Sequence, residues 1–150
     1  MAANNRRGTQ KVFTKLMVPV DVTHPGQLEK ALAVAADLAR HYGAGICYVA
    51  VTSSAPNTLG HTPDEAARHL DEFAAAQGET HGLDTSGHLV VSHDPAVDLD
   101  KSLLGAIQDT GADLVVADQN IFEISPDAIA ETKICLTLFD GKIVYERTGV

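Results

Sequence analysis

The chain has no tryptophan, three tyrosines, four phenylalanines and two cysteines in 150 residues. Cys47 and Cys135 form no CxxC pair and join no cysteine–histidine cluster, which excludes a disulfide-dense scaffold and a cysteine zinc site. Two quiet thiols in a reducing cytoplasm are expected, and a bond between them stays open, because their separation is not read from sequence. A chain of this length buries roughly 70% of its unfolded surface and needs no staple. No apolar run approaches the ~20 residues of a membrane span. Positive charge is also scarce, 11 basic residues against 20 acidic for a net −9. Such a body repels phosphate backbones, so nucleic acid is not an expected partner. The start, MAANNRRGTQ, is basic and lacks apolar periodicity, so residues 1–11 read as a disordered tail rather than a targeting segment. A cytoplasmic location follows as an expectation.

Within residues 12–150, read as one domain, apolar runs alternate with helical patterns. Lys15 to Asp21 is apolar without alternation, as in a strand covered on both faces. After Pro25-Gly26, the residues Leu28, Ala31, Leu32, Ala35, Leu38, Ala39 and Tyr42 recur at helical spacing, and Gly43 is placed to close the helix. Ile46 to Thr52 is a second buried strand, and Ser53 to His61 a loop. Thr62-Pro63-Asp64-Glu65 then predicts a capped helix start, with an apolar face from Ala66 to Gln77 ending near Gly78. His88 to His93 reads as a third strand. Asp94-Pro95 opens a third helix closed by Gly111, and Ala112 to Asp118 is a fourth strand. This grammar predicts an α/β fold, an open, doubly wound, Rossmann-like parallel sheet with right-handed crossovers.

After Asp118 the grammar changes. A short helix fits near Ser125 and Pro126, and two β-prone runs, ICLTLF and KIVYE, flank Asp140-Gly141. That pair is a strong hairpin signal, so residues 119–150 are expected to form an atypical turn-helix and a C-terminal β-hairpin.

The segments LMVPVDVTHPGQLEKALAVAADLARHYGAGICYVAV and DPAVDLDKSLLGAIQDTGADLVV, in that order, resemble the universal stress protein family over about residues 12–118. The resemblance implies a domain that is often a homodimer and in some members binds ATP at the carboxyl ends of the strands. Of the nucleotide-binding positions it carries over Val20 and Asp21 after the first strand and Ala50 in the second. The family's glycine-rich phosphate loop follows the fourth strand, but here no glycine occurs from Ala112 to Asp140, and Asp118 stands at the place of the triphosphate. Backbone amides need glycine to close on phosphate, so weak ATP binding or none is expected, and no other cofactor. About residues 112–147 are similar instead to the carboxyl end of metal-dependent amidohydrolases, through Ala112 to Val116, Pro126 to Thr132 and Asp140 to Glu146. In those enzymes this piece is scaffold, and their metal ligands have no counterpart here.

Other constellations are read as structural. The seven histidines show no HxH or HExxH pattern, so no metal site is expected. Ser92, His93 and Asp94 are adjacent on a strand, where neighbours face opposite sides, so they read as a strand end and a helix cap rather than a relay. Asp21 reads either as a ligand contact or as a cap for the next helix. The nine acids against Arg68 in residues 61–100 read as a solvated face. The resulting expectation is a binding or regulatory domain without a catalytic site. The alternatives are an inactive fusion carrying an amidohydrolase scaffold piece, and a self-association module. The hairpin leaves one β-run at a sheet edge, so a homodimer with Ile143, Val144 and Tyr145 at the contact is expected.

Overall fold

The computed structural model of the chain describes residues 12–23, 28–117, 136–139 and 142–146. The basic start, Pro25-Gly26, Asp118, the turn-helix around Ser125 and Pro126, Cys135 and the Asp140-Gly141 turn lie outside these residues. The elements run β1 (Lys15–Pro19), α1 (Glu29–Tyr42), β2 (Gly45–Ser53), α2 (Pro63–His81), β3 (Thr85–Ser92), α3 (Pro95–Thr110), β4 (Leu114–Ala117), β5 (Leu136–Phe139) and β6 (Lys142–Glu146). One sheet holds all six strands in the order β3-β2-β1-β4-β5-β6. The first four are parallel, while β5 pairs antiparallel with β4 and β6 antiparallel with β5.

Chain handedness explains the layers. From β1 to β2 to β3 the chain steps one way across the sheet, and then it jumps from β3 past β1 to β4. Right-handed crossovers put helices on opposite faces when the stepping direction reverses. Accordingly, Leu28 at the cap of α1, Ala31, Leu32 and Ala35 of α1, and Ala66, Leu70 and Ala74 of α2 cover Leu16, Val18, Ile46, Tyr48, Leu114 and Val116. On the other face Leu103 and Ala106 of α3 cover Met17, Cys47, Val49 and Val115. Strands buried on both faces have no polar alternation, which is why β1 and β2 read as unbroken apolar runs.

Asp113 anchors the seam between the two halves. One carboxylate oxygen accepts from Thr14 N and Thr14 Oγ1, both at 2.8 Å, and the other from Lys15 N at 3.2 Å. Its own amide donates to Lys15 O at 3.0 Å. Lys15 Nζ donates in turn to Thr110 O at 3.1 Å, at the carboxyl end of α3, where positive charge suits the helix dipole.

Two boundaries differ from the sequence reading. Helix α2 runs through Gly78 and stops at Gly82, whose φ of 65° is left-handed. Gly78 serves close packing instead: a Cβ there would lie 2.5 Å from Thr85 Oγ1. Strand β3 starts three residues early, at Thr85, because Thr85, Ser86 and Gly87 pair with Ile46, Cys47 and Tyr48. Gly87 lets α2 settle on the strand, since a Cβ would stand 2.7 Å from Asp71 Oδ1 and 3.0 Å from Leu70 Cγ. At the far side β6 takes the outer position, and its register with β5 shifts between Thr137 and Leu138, which leaves Val144 without an opposite residue.

Tyr48 is fully buried in this core, packed edge-to-face on Phe73 with ring centroids 5.3 Å apart. Its hydroxyl finds no hydrogen-bond partner among the described residues, and burial pushes its pKa from 10.0 up to about 12. An unmade buried hydrogen bond costs free energy, so Tyr48→Phe is expected to be neutral or to stabilise by up to about 1 kcal/mol at pH 7. Above pH 10 the unfolded tyrosine ionises while the folded one stays neutral, so wild-type stability falls as pH rises toward 12. Urea titrations of both proteins from pH 8 to 11 will show a shallower alkaline loss in the variant.

Candidate functional site

All four parallel strands end at the same side of the sheet, and the order reverses beside β1. Ligand crevices in open α/β sheets form there, because the loops leaving adjacent strands diverge. The described residues form a cleft of about 440 Å³ at this end, lined by Val20 to Thr23 after β1, Ala50 to Ser53 of β2, Asn57 to Leu59, and Pro95 at the start of α3. The three positions carried over by resemblance, Val20, Asp21 and Ala50, are brought together on its wall.

Asp21 does not cap the next helix. Helix α1 starts after Leu28 with no side-chain cap bond. Instead, Asp21 Oδ1 accepts from Thr23 N at 3.0 Å and from Thr23 Oγ1, closing the turn that follows β1. An aspartate bonded two residues ahead builds such a turn without a glycine. The turn holds the Asp21 carboxylate and the Thr23 hydroxyl at the cleft wall.

Sequence reading took the opposite wall as a plain loop. Asn57 builds it. Its Nδ2 donates to Thr52 Oγ1 at 2.7 Å and to Ala55 O at 3.1 Å, and its Oδ1 accepts from Leu59 N at 2.9 Å. Its backbone N donates to Gly60 O at 3.0 Å. Helix α2 then pins the loop from below. His69 Nδ1 lies 2.7 Å from Leu59 O, and since a carbonyl only accepts, that nitrogen carries the proton. Gly60 sits so close to α2 that a Cβ would stand 2.7 Å from Ala66 N. An asparagine in a serine, proline and glycine cluster was the available signal, since its side chain mimics a backbone turn.

The predicted cap of α2 forms with one change. Thr62 Oγ1 accepts from Glu65 N at 3.2 Å, but the Glu65 carboxylate reaches back to His61 N at 2.8 Å rather than to Thr62 N. The His61 amide bond, more than the nearby histidines and Arg68, holds the Glu65 carboxyl below its usual 4.5.

At the start of α3, Ser92 is buried and Asp94 occupies the cap position without a side-chain cap bond. Ser92 supplies the local bonds instead, accepting from Asp94 N at 3.2 Å and donating to Asp98 Oδ2 at 3.3 Å. Among the described residues no three metal-ligating side chains gather. His88 stands beside Asp109 at 3.9 Å, and Cys47 is a buried thiol. Among the described residues no helix is long and apolar enough to cross a membrane. The cleft therefore offers hydroxyls, a carboxylate and apolar walls, which suits binding of a polar small molecule.

No protein-family model matches the chain, and no curated protein does. Solved structures do. A member of the universal stress protein family from Burkholderia pseudomallei is 27% identical, with 68% of this chain and 78% of that chain covered at a TM-score of 0.47. A universal stress protein from Archaeoglobus fulgidus is 24% identical, with 67% and 70% covered at a TM-score of 0.48. A universal stress protein in complex with cAMP is 16% identical, with 69% and 74% covered at a TM-score of 0.49. At that level of superposition the α/β fold rests on the strand order and the two core faces described above.

Glu65 gives this region an acid limb. Its folded pKa lies below its unfolded value, so its stabilisation is present above the ordinary glutamate range and is lost as pH falls through the lowered value. Glu65→Gln is expected to flatten the loss of thermal stability below about pH 4.5. Calorimetric melts of the two proteins at pH 3.5, 4.5 and 7 provide the check.

Proposed function

We propose that the chain is a universal-stress-like binding or regulatory domain that takes the adenosine part of a nucleotide in its cleft, gains nothing from the phosphates, and performs no turnover. One observation carries this reading: Val20 and Asp21 after β1 and the sequence-distant Ala50 of β2 line a single cleft at the carboxyl ends of those strands. The Asp21 carboxylate and the hydroxyls of Thr23, Thr52 and Ser53 suit ribose hydroxyls and an exocyclic amine. The missing phosphate loop is a matter of composition, because no glycine lies between Ala112 and Asp140 to bring amides against phosphate oxygens. Asp118 lies outside the described residues, and at the place the resemblance gives it a carboxylate would add like-charge repulsion.

Calorimetry with adenosine and with magnesium-ATP tests the reading directly. The two are expected to bind within about threefold of each other, a difference below 1 kcal/mol. Asp21→Ala should weaken both, and Asp118→Gly should strengthen ATP alone. A micromolar dissociation constant for magnesium-ATP, with adenosine at least about tenfold weaker, would overturn the phosphate half of the reading. No binding of either ligand would overturn the whole.

The outer position of β6 favours a second reading, a homodimer built on the strand that carries Ile143, Val144 and Tyr145. An edge of unpaired amides and carbonyls is a template for another chain. Light scattering at tens of micromolar should give twice the chain mass, and Ile143→Asp should return it to one chain. A monomeric wild type would defeat this reading.

A further inference from the structure

The other edge of the sheet is longer, eight residues of β3 against five of β6. Strand β3 pairs with β2 alone among the described residues, in unbroken parallel register from Thr85 to Ser92. Ile46 N donates to Asp84 O at 2.9 Å, and Ile46 lies opposite Thr85. In a parallel ladder one residue turns both backbone groups to the same neighbour, and successive residues alternate. Ser86, His88 and Val90 therefore face β2, whereas Thr85, Gly87, Leu89 and Val91 turn their amides and carbonyls outward. Proteins usually blunt such an edge with proline, lysine, a bulge or an inward charge. TSGHLVVS has none of these, and Val91 is 47% exposed.

Charge selects the occupant. Helix α2 sets the Asp71 carboxylate over the strand at Gly87, where a Cβ would stand 2.7 Å from Asp71 Oδ1. On the other face Asp109 of α3, 67% exposed, stands 3.9 Å from His88. Asp84 opens the strand, and residues 61–100 carry nine acids against Arg68 alone. A second copy of a chain with net charge −9 would bring these carboxylates against one another. An extended segment rich in lysine or arginine would instead pair its backbone with the outward groups and direct cations to Asp71 and Asp109.

We infer that β3 is a docking edge for a basic extended peptide, which adds a seventh strand to the sheet. The backbone supplies the bonds, and the acidic rims on both faces select the charge. This site is separate from the cleft, so it stands or falls independently of the nucleotide reading.

Fluorescence anisotropy on the full chain tests the inference with a labelled seven-residue peptide alternating lysine with valine or threonine. This peptide is expected to bind at least about tenfold tighter than the same peptide with glutamate for lysine. Methylating alternate backbone nitrogens of the peptide should weaken it by a similar factor, with no change to the protein. Leu89→Pro should do the same, because the N–H it removes points away from β2, and circular dichroism verifies its fold. Asp71→Asn with Asp109→Asn should narrow the preference for the basic peptide. Equal affinity for the basic and acidic peptides, or indifference to N-methylation, would overturn the inference. A concentration-dependent rise in mass abolished by Leu89→Pro but not by Ile143→Asp would place a second copy of the chain at β3 and overturn the basic peptide as its occupant.

Discussion

The carboxylate of Asp113 joins the two halves of this sheet. Strand β1 is the only one shared by both directions of winding, and its pairing with β4 extends over just Leu16 with Leu114 and Met17 with Val115. So short a ladder stops at Leu16, short of the start of β1. Asp113 accepts there from the amides of Thr14 and Lys15 and from the Thr14 hydroxyl, and its own amide returns a bond to Lys15. Bonds to an ionised carboxylate are stronger than neutral ones, so a few atoms do the work of a longer ladder. The registry of α3 depends on the same place, because Lys15 holds the last turn of that helix through Thr110.

With the base of the seam tied, the opposite end is free to open. The loops leaving β1 and β2 diverge, and the cleft lies between their walls. Each wall is stiffened by a side chain that imitates the backbone, Asp21 on one side and Asn57 on the other. Both walls are thus held by bonds within the chain itself. Pre-formed walls spare a ligand the cost of ordering them.

Much of this was legible in the chain. Unbroken apolar runs marked β1, β2 and β4 because strands buried on both faces leave no room for polar alternation. Gly43 and Gly111 marked helix ends correctly, at φ of 64° and 65°. Gly78 misled because glycine also serves close approach, and only the proximity of Thr85 tells the two uses apart. The beginning of β3 was hidden because Ser86 and Gly87, which separate Thr85 from the apolar run, are strand residues by pairing and not by propensity. In the site, Val20, Asp21 and Ala50 could be named from a resemblance, but Asn57 and His69 could not. Their roles depend on a loop folding back onto a helix, ten residues away for the Leu59–His69 bond, which no local pattern encodes.

The mixed character of the sheet has a consequence for how it opens. Strand β2 is laddered on both sides, to β1 along all of β1 and to β3 along all of β3. Strand β5 meets β4 only through Val115, Val116 and Ala117, and its other partner is β6, its own neighbour in sequence. Pairing between sequence neighbours closes a small loop and forms quickly, whereas parallel pairing waits for a whole helix to be laid down. The hairpin is thus a separate cooperative unit from the parallel core. Amide hydrogens of β5 and β6 will trade with solvent through openings that leave β2 closed, and slow exchange will be concentrated at the centre of the parallel strands.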